Sequence, residues 1–407
     1  MSDGFISYER SSARYRLPVD TGIVEPDEIA WDGLTESVTS KSPTAPPDLA
    51  RLEDIVAAAW SKALRGKTID RDADFRELNM SPNRAMQILL DIWSATSIDL
   101  PVNVFFEAPT IRRMAAAICD GSALVAPDLV LLRRGDDSAP LFLFPGHAGY
   151  LIHLTDLVRE LDYSGAIYGI AVSGLDGVGP FHDRFELEAQ RSLGIIRRAQ
   201  RAGPFRLVGY SIGGVTALET ARLIRRELGD TVFLGLIDTP QNDHSWPYGV
   251  WLAFLLRRLA IKIRNRMRRR AAARMSRAPA PGRPSINPAK RGTQVEYRFR
   301  NPRGPDYPYF SPYWTPDHTP NYSRAGEHVC RMKGLYAPTR YDGKVFFFAS
   351  TGGDPLACDP EQIWPRYLPD AEWVRVPGNH VNTMFGRNVG RLAAEISTRL
   401  NRAAPPA

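Results

Sequence analysis

The stretch Phe205-Arg206-Leu207-Val208-Gly209-Tyr210-Ser211-Ile212-Gly213-Gly214-Val215-Thr216-Ala217-Leu218-Glu219-Thr220 decides how the rest of the chain is read. Phe205, Leu207 and Val208 form a short apolar run of the kind that becomes a buried strand. A turn follows at Gly209 to Gly214, and then Val215, Leu218, Ala221 and Leu223 recur at helical spacing as far as Arg226. A strand that enters a helix through G-x-S-x-G presents its serine on a strained turn. The glycines are required because side chains two residues either side of the serine would clash where strand and helix meet. Ser211 is therefore the candidate nucleophile.

Around this stretch lie 407 residues, 43% of them hydrophobic, enough for two or three domains with a real core. No apolar run reaches the roughly 18 residues of a membrane-spanning helix. The start, Met-Ser-Asp-Gly-Phe-Ile-Ser-Tyr-Glu-Arg, lacks the basic and apolar regions of a secretory signal. Cys119, Cys330 and Cys358 are widely spaced, which suits a reducing cytoplasm and offers no zinc spacing. A cytoplasmic protein without a metal is expected. The net charge of +7 is concentrated in one segment, since no Asp or Glu occurs from His244 to Val295.

Residues 1–47 are polar and rich in Ser, Pro and Asp, and read as a poorly ordered leader or linker. Residues 48–121 read as a small all-α bundle. Leu52, Ile55, Val56, Ala59 and Leu64 mark a first helix, and Ala85, Met86, Ile88, Leu89 and Ile92 a second. Thr110 caps a last helix from Ile111 to Ile118. The runs D-x-x-F-R-E-L, R-A-M-Q-I-L and V-F-F-E-A-P-T-I resemble an acyl or peptidyl carrier domain. That resemblance implies a serine bearing phosphopantetheine at the head of the second helix. The corresponding position is Pro82, which has no hydroxyl, and Ser81 lies one residue early. Ser then Pro is also the ordinary start of a helix, as N-cap and first helical residue. Ser81 is thus either a cap or a displaced attachment site, and the domain resembles a carrier that has lost its arm.

Residues 122–138 read as a linker, and residues 139–403 as the second domain. Leu141 to Phe144 is a buried strand by composition and runs into Pro145-Gly146-His147-Ala148-Gly149-Tyr150. A nucleophilic serine needs a base, and the base an orienting carboxylate. Of the histidines after Ser211 (His244, His318, His328 and His380), only His380 follows a strand-like run, Trp373 to Val376, in a glycine-containing loop before a helix. The others are expected at the surface of an insertion. Two acids compete: Asp238, at the end of Val232 to Ile237, and Asp354, after Val345 to Ala349. Both stand at strand ends, so position alone does not choose between them.

The succession G-Y-S-I-G-G, L-G-L-I-D-T-P, V-P-G-N-H resembles the thioesterase domains that close nonribosomal peptide and polyketide assembly lines. The resemblance implies an α/β-hydrolase fold with Ser211, Asp238 and His380 as the triad and Asp354 as the alternative acid. It also implies an oxyanion hole from the backbone N–H groups of Ile212 and of His147, with Ala148 the next candidate after His147.

Residues 241–325 are expected to form a helical lid inserted after Asp238. The lid's apolar and then basic first part suits an anionic partner or a membrane surface. No nucleic-acid motif accompanies the charge.

The expected architecture is an α/β-hydrolase domain with a helical lid, preceded by a carrier-like bundle. The expected substrate is an acyl or peptidyl thioester on a carrier protein, presented in trans by synthase modules and released by hydrolysis or cyclisation. No cofactor is required for that chemistry. A free-standing carboxylesterase or lipase, and a non-catalytic docking scaffold, are the alternatives.

Overall fold

A computed structural model of the chain describes residues 48–78, 80–124, 127–175, 181–229, 232–241, 245–275, 318–352 and 359–403. The leader, His244, Asp354 and Cys358 lie outside the described residues.

The first elements are helical. α1 (Leu49–Ala63), α2 (Pro82–Thr96), the single turn α3 (Val104–Glu107) and α4 (Ile111–Cys119) surround Trp60, Phe75, Ile88, Phe105 and Met114. The starts of α2 and α4 are capped as the sequence suggests. The Ser81 hydroxyl accepts the Arg84 N–H at 3.4 Å ahead of Pro82, and the Thr110 hydroxyl accepts the Arg113 N–H at 3.2 Å. These bonds satisfy amides that have no carbonyl partner within their own helix.

The remainder is an α/β sandwich. Its elements are β1 (Leu129–Arg133), β2 (Asp136–Phe144), α5 (Thr155–Glu160), β3 (Gly165–Ile170), α6 (Phe185–Ala199), β4 (Phe205–Tyr210), α7 (Gly213–Leu228), β5 (Val232–Ile237), α8 (Tyr248–Met275), α9 (Pro320–Leu335), β6 (Val345–Ser350), α10 (Pro360–Ile363), β7 (Ala371–Val376) and α11 (Gly386–Ala403). The sheet runs in the order β1-β3-β2-β4-β5-β6-β7. β1 pairs antiparallel with β3, and the other pairings are parallel.

Alternation along the strands feeds two cores. Phe142 and Phe144 pack with Leu193, Ile196, Leu218 and Ala221 of α6 and α7. Leu141 and Leu143 pack with Leu157 of α5 and Leu392 and Ile396 of α11. Burying each such side chain stabilises the fold by roughly 1.5–3 kcal/mol.

β1 and the start of β2 fall inside the segment read as a linker. Only Val130 of β1 is buried, and an edge strand of that kind has too short an apolar signature to separate from a linker.

The described residues form one compact unit. The apolar core of the helical bundle continues into Tyr150, Ile152, Leu175 and Tyr322 of the α/β part. Polar contacts cross the same boundary. The Tyr150 hydroxyl donates to the Pro82 carbonyl at 2.9 Å, and Asp99 accepts the Asn321 N–H at 2.6 Å. No described helix is long and apolar enough to cross a membrane.

Candidate active site

β3 lies on one side of β2 and β4 on the other, so the strand order reverses there. A crevice opens outside the carboxyl ends of strands at such a reversal. The turn after β2 and the turn after β4 both lie at this place.

Ser211 follows β4 with φ +53°, a left-handed conformation that a side chain adopts only when its surroundings hold it there. Its N–H donates to the Ile237 carbonyl at 2.8 Å, which ties the turn to β5. The close packing explains the glycines. A Cβ on Gly209 would overlap Gly214, and one on Gly213 would overlap the Pro145 carbonyl oxygen.

The β4–β5 ladder ends with Tyr210 opposite Ile237, so the next residues, Ser211 and Asp238, emerge from adjacent strand ends. Asp238 also has a positive φ, +44°, and its N–H donates to the Phe348 carbonyl at 2.9 Å. One carboxylate oxygen accepts the Ser350 N–H at 2.8 Å. The other lies 3.8 Å from His380 Nδ1, outside hydrogen-bond range and close enough for charge to act. His380 Nε2 is 2.9 Å from Ser211 Oγ. Ser211 and Asp238 are buried, at 4% and 7% exposure, so these groups meet where water screens weakly.

The loop carrying His380 is braced from several sides. Asn379 Oδ1 accepts the N–H groups of Val381 and Asn382, and Asn382 Oδ1 accepts the Asn379 N–H in return. Tyr210 donates to the His380 carbonyl and stacks on its imidazole. These bracing residues were not singled out from sequence. Tyr210 sits inside the G-x-S-x-G motif, which was the available signal.

Gly146, after β2, lies against the elbow: a Cβ there would sit 3.1 Å from the Tyr210 ring and 3.3 Å from Ser211 Cβ. This brings the backbone of His147 toward the serine. Ile212 is the N-cap residue of α7, so its amide stands at the positive end of that helix. The His147 ring packs against α9, edge-on to Tyr322 at 5.8 Å, and burial pushes its pKa down to about 3. Burial likewise lowers His153, to about 4.

His318 and His328, expected at the surface, are half-buried. His318 stacks on Tyr322 at 4.3 Å, and His328 stacks on Phe181 and bonds the His182 carbonyl. Both sit on or beside α9, whose Tyr322, Ala325, Val329 and Met332 are buried.

At the junction with the helical bundle a cavity of about 560 Å³ opens. Ser81, Pro82 and Asn83 face His153, Val381 and Phe385 across it. Val381 is the chain neighbour of His380, but neither His380 nor Ser211 lines this cavity.

Comparison with known proteins adds the family context. The family described as Thioesterase domain matches residues 139–249, and the family described as Phosphopantetheine attachment site matches residues 54–118. Indigoidine synthase of Dickeya dadantii (strain 3937) is 30% identical over 170 residues, which is 42% of this chain and 11% of that protein. Enterobactin synthase component F of Escherichia coli (strain K12) is 23% identical over 354 residues, which is 86% of this chain and 24% of that protein. A four-domain nonribosomal peptide synthetase, solved in its holo form with AMP and glycine, superposes with a TM-score of 0.50 at 19% identity. That superposition covers 90% of this chain and 27% of the other, and it is a likeness of fold. The chain spans 24% or less of the length of these two curated relatives. Along the chain, a match to the phosphopantetheine-attachment family is thus followed by a match to the thioesterase family, and the similar curated proteins include a dimodular nonribosomal peptide synthase of Bacillus subtilis (strain 168), 26% identical over 51% of this chain and 8% of that protein.

Proposed function

We propose that this chain releases an acyl or peptidyl group from a thioester on a carrier protein, through an acyl-serine at Ser211. The observation that supports this most directly is the 2.9 Å separation of Ser211 Oγ and His380 Nε2 at a buried elbow. The Ser211 hydroxyl passes its proton to His380 Nε2 as the oxygen attacks the thioester carbonyl. Asp238 stabilises the imidazolium and holds its tautomer. The oxyanion is met by the N–H groups of His147 and Ile212, in a site that needs no reorganisation. Collapse breaks the C–S bond, and His380 returns the proton to the departing thiolate. Water, or an amine or hydroxyl of the bound chain, then attacks the acyl carbon as His380 takes its proton, the acyl C–Oγ bond breaks, and His380 returns that proton to Ser211 Oγ. The product is a free acid in the first case and a ring in the second.

The thioester comes from a carrier on another protein. The family implies a phosphopantetheine group on the helical bundle, but the residues at the head of α2 do not fit it. Pro82 has no hydroxyl, its carbonyl is held by Tyr150, and the Ser81 hydroxyl caps α2. The partner approaches along α8, whose exposed Arg257, Arg264 and Arg266 attract an anionic surface.

Intact-mass measurement after incubation with acyl thioesters tests the proposal. The expected result is one acyl adduct on the wild-type chain that is absent from Ser211→Ala. An adduct that survives the substitution, or turnover unchanged by it, would sink the assignment.

A further inference from the structure

Asn103 belongs to the helical bundle, yet both polar ends of its side chain bond the backbone of the thioesterase domain. Nδ2 donates to the Gly149 carbonyl at 3.1 Å, and Oδ1 accepts the Leu151 N–H at 3.0 Å. The residue is 1% exposed and flanked by buried Val102, Val104 and Phe105. A buried amide is tolerated only when its donor and acceptor are both engaged. Here it satisfies two groups of a loop that runs outside the sheet, so removing it would orphan buried backbone.

The segment it grips follows His147, whose N–H is assigned to the oxyanion. Ala148 and Gly149 are consecutive left-handed residues, at φ +57° and +70°. Gly149 adopts this conformation freely, but at Ala148 it persists only where neighbours hold it. Three elements do so. A Cβ on Gly149 would already lie 3.0 Å from Val172 and Leu175, so that side is closed. On α9, Gly326 leaves room for the His147 ring, which a Cβ there would overlap. Asn103 closes the third side, helped by the bond from Tyr150 to Pro82.

We propose that Asn103 is a positioning residue of the oxyanion hole, and that the helical bundle is a docked wall of the active site rather than a shuttling carrier. The proposal rests on the roles given above to Ser211 and the His147 backbone. An oxyanion donor works only if it is in place before the charge develops. Asn103 supplies that placement from outside the thioesterase domain. A domain that shuttled would have to leave between turnovers. Leaving would release the loop and expose the apolar core shared with Tyr150, Ile152 and Tyr322.

The test uses the full chain, a soluble acyl thioester and a trifluoromethyl ketone, which forms a tetrahedral adduct with the serine. Asn103→Leu keeps the volume and removes both hydrogen bonds. Its kcat is expected to fall roughly 10- to 100-fold, with KM changed less than about twofold. Affinity for the ketone should fall by a similar factor. Asp99→Asn weakens a different contact of the same two domains, to the Asn321 N–H, and is expected to keep kcat. Wild-type kcat in folded Asn103→Leu, a change in KM alone, or an equal loss in Asp99→Asn would overturn the proposal. Should Asn103→Leu fail to fold, Tyr150→Phe reads the same loop by freeing only the Pro82 carbonyl. A fall in its kcat with unchanged KM supports the proposal, and an unchanged kcat overturns it. A wild-type chain no more active than Ser211→Ala would overturn the functional reading beneath it instead.

Discussion

The Tyr210 hydroxyl donates to the His380 backbone carbonyl at 2.8 Å, and its ring lies on the imidazole with centroids 5.5 Å apart. The residue before the candidate nucleophile thus holds the residue that would activate it. A hydrogen bond of this kind contributes about 1 kcal/mol, or roughly three- to tenfold in rate if it acts on the transition state. Tyr210→Phe should therefore lower kcat on a soluble thioester by that factor while leaving KM nearly unchanged. Tyr210→Ala, which also removes the stacking, should cost more. Steady-state kinetics of both variants would decide, and a Phe variant with full activity would show the contact to be idle.

Asp238 contacts the backbone of Ser350 through one oxygen and approaches His380 Nδ1 with the other. An amide at this position would present the imidazole with the wrong partner and favour the wrong tautomer. Asp238→Asn is expected to lower kcat by roughly three to four orders of magnitude. Asp354→Asn should change it little. The reverse ranking in side-by-side kinetics would move the acid to the later turn.

Burial pushes His147 down to about 3 and His153 down to about 4, with His318 adding repulsion to both. Unfolded imidazoles titrate near about 6.5. Between these values the unfolded chain binds protons that the folded chain refuses, so stability is full above about pH 6.5 and declines as pH falls toward 4. Each group contributes a slope of at most about 1.4 kcal/mol per pH unit. Urea denaturation at intervals from pH 7 to pH 4.5 should show the decline, and His153→Gln should flatten it. An unchanged slope in that variant would mean the ring is hydrated.

The head of α2 sets a second measurable outcome. With Pro82 at the first helical position and Ser81 as cap, a broad-specificity phosphopantetheinyl transferase should leave the chain unmodified. Moving a hydroxyl by one residue turns it about 100° around the helix, away from where the enzyme must find it. Pro82→Ser should raise modification. Intact mass after treatment with the transferase and coenzyme A decides. A wild-type adduct that disappears in Ser81→Ala would restore a working carrier in this chain.

On α8, Arg257, Arg264 and Arg266 are exposed beside Leu256, Leu259 and Ile263. Replacing the three arginines by Glu should raise KM for a carrier-bound substrate several-fold, with strong salt dependence in the wild type. It should leave a short soluble thioester unaffected. Equal effects on both substrates would place α8 in the support of the fold instead, and binding to anionic vesicles lost in the same variant would favour a lipid surface.

The thioesterase elbow was legible because it is local. The apolar run, the glycines and the helical spacing around Ser211 lie within sixteen consecutive residues, Phe205 to Thr220, and their sterics need no distant partner. His380 could be proposed from its loop between a strand and a helix. Asp238 could not be separated from Asp354 by position, and its choice leaned on family resemblance. β1 was read as linker because one buried position in an edge strand leaves almost no periodic trace.

The chain's own order of residues determined the strand–turn–helix at Ser211, the capped helices of the bundle and the absence of a hydroxyl at Pro82, since each follows from contacts within a turn or two. Only the tertiary structure decided that Tyr210 holds His380, that Ser211 and Asp238 leave neighbouring strands, and that Asn103 reaches across a domain boundary to the loop after His147. Tyr210 and His380 are 170 residues apart, and Asn103 and Leu151 are 48 apart. Such pairs leave no periodic or compositional mark. They exist because packing the two faces of one sheet, and burying one apolar seam between two domains, leaves those polar groups nowhere else to bond.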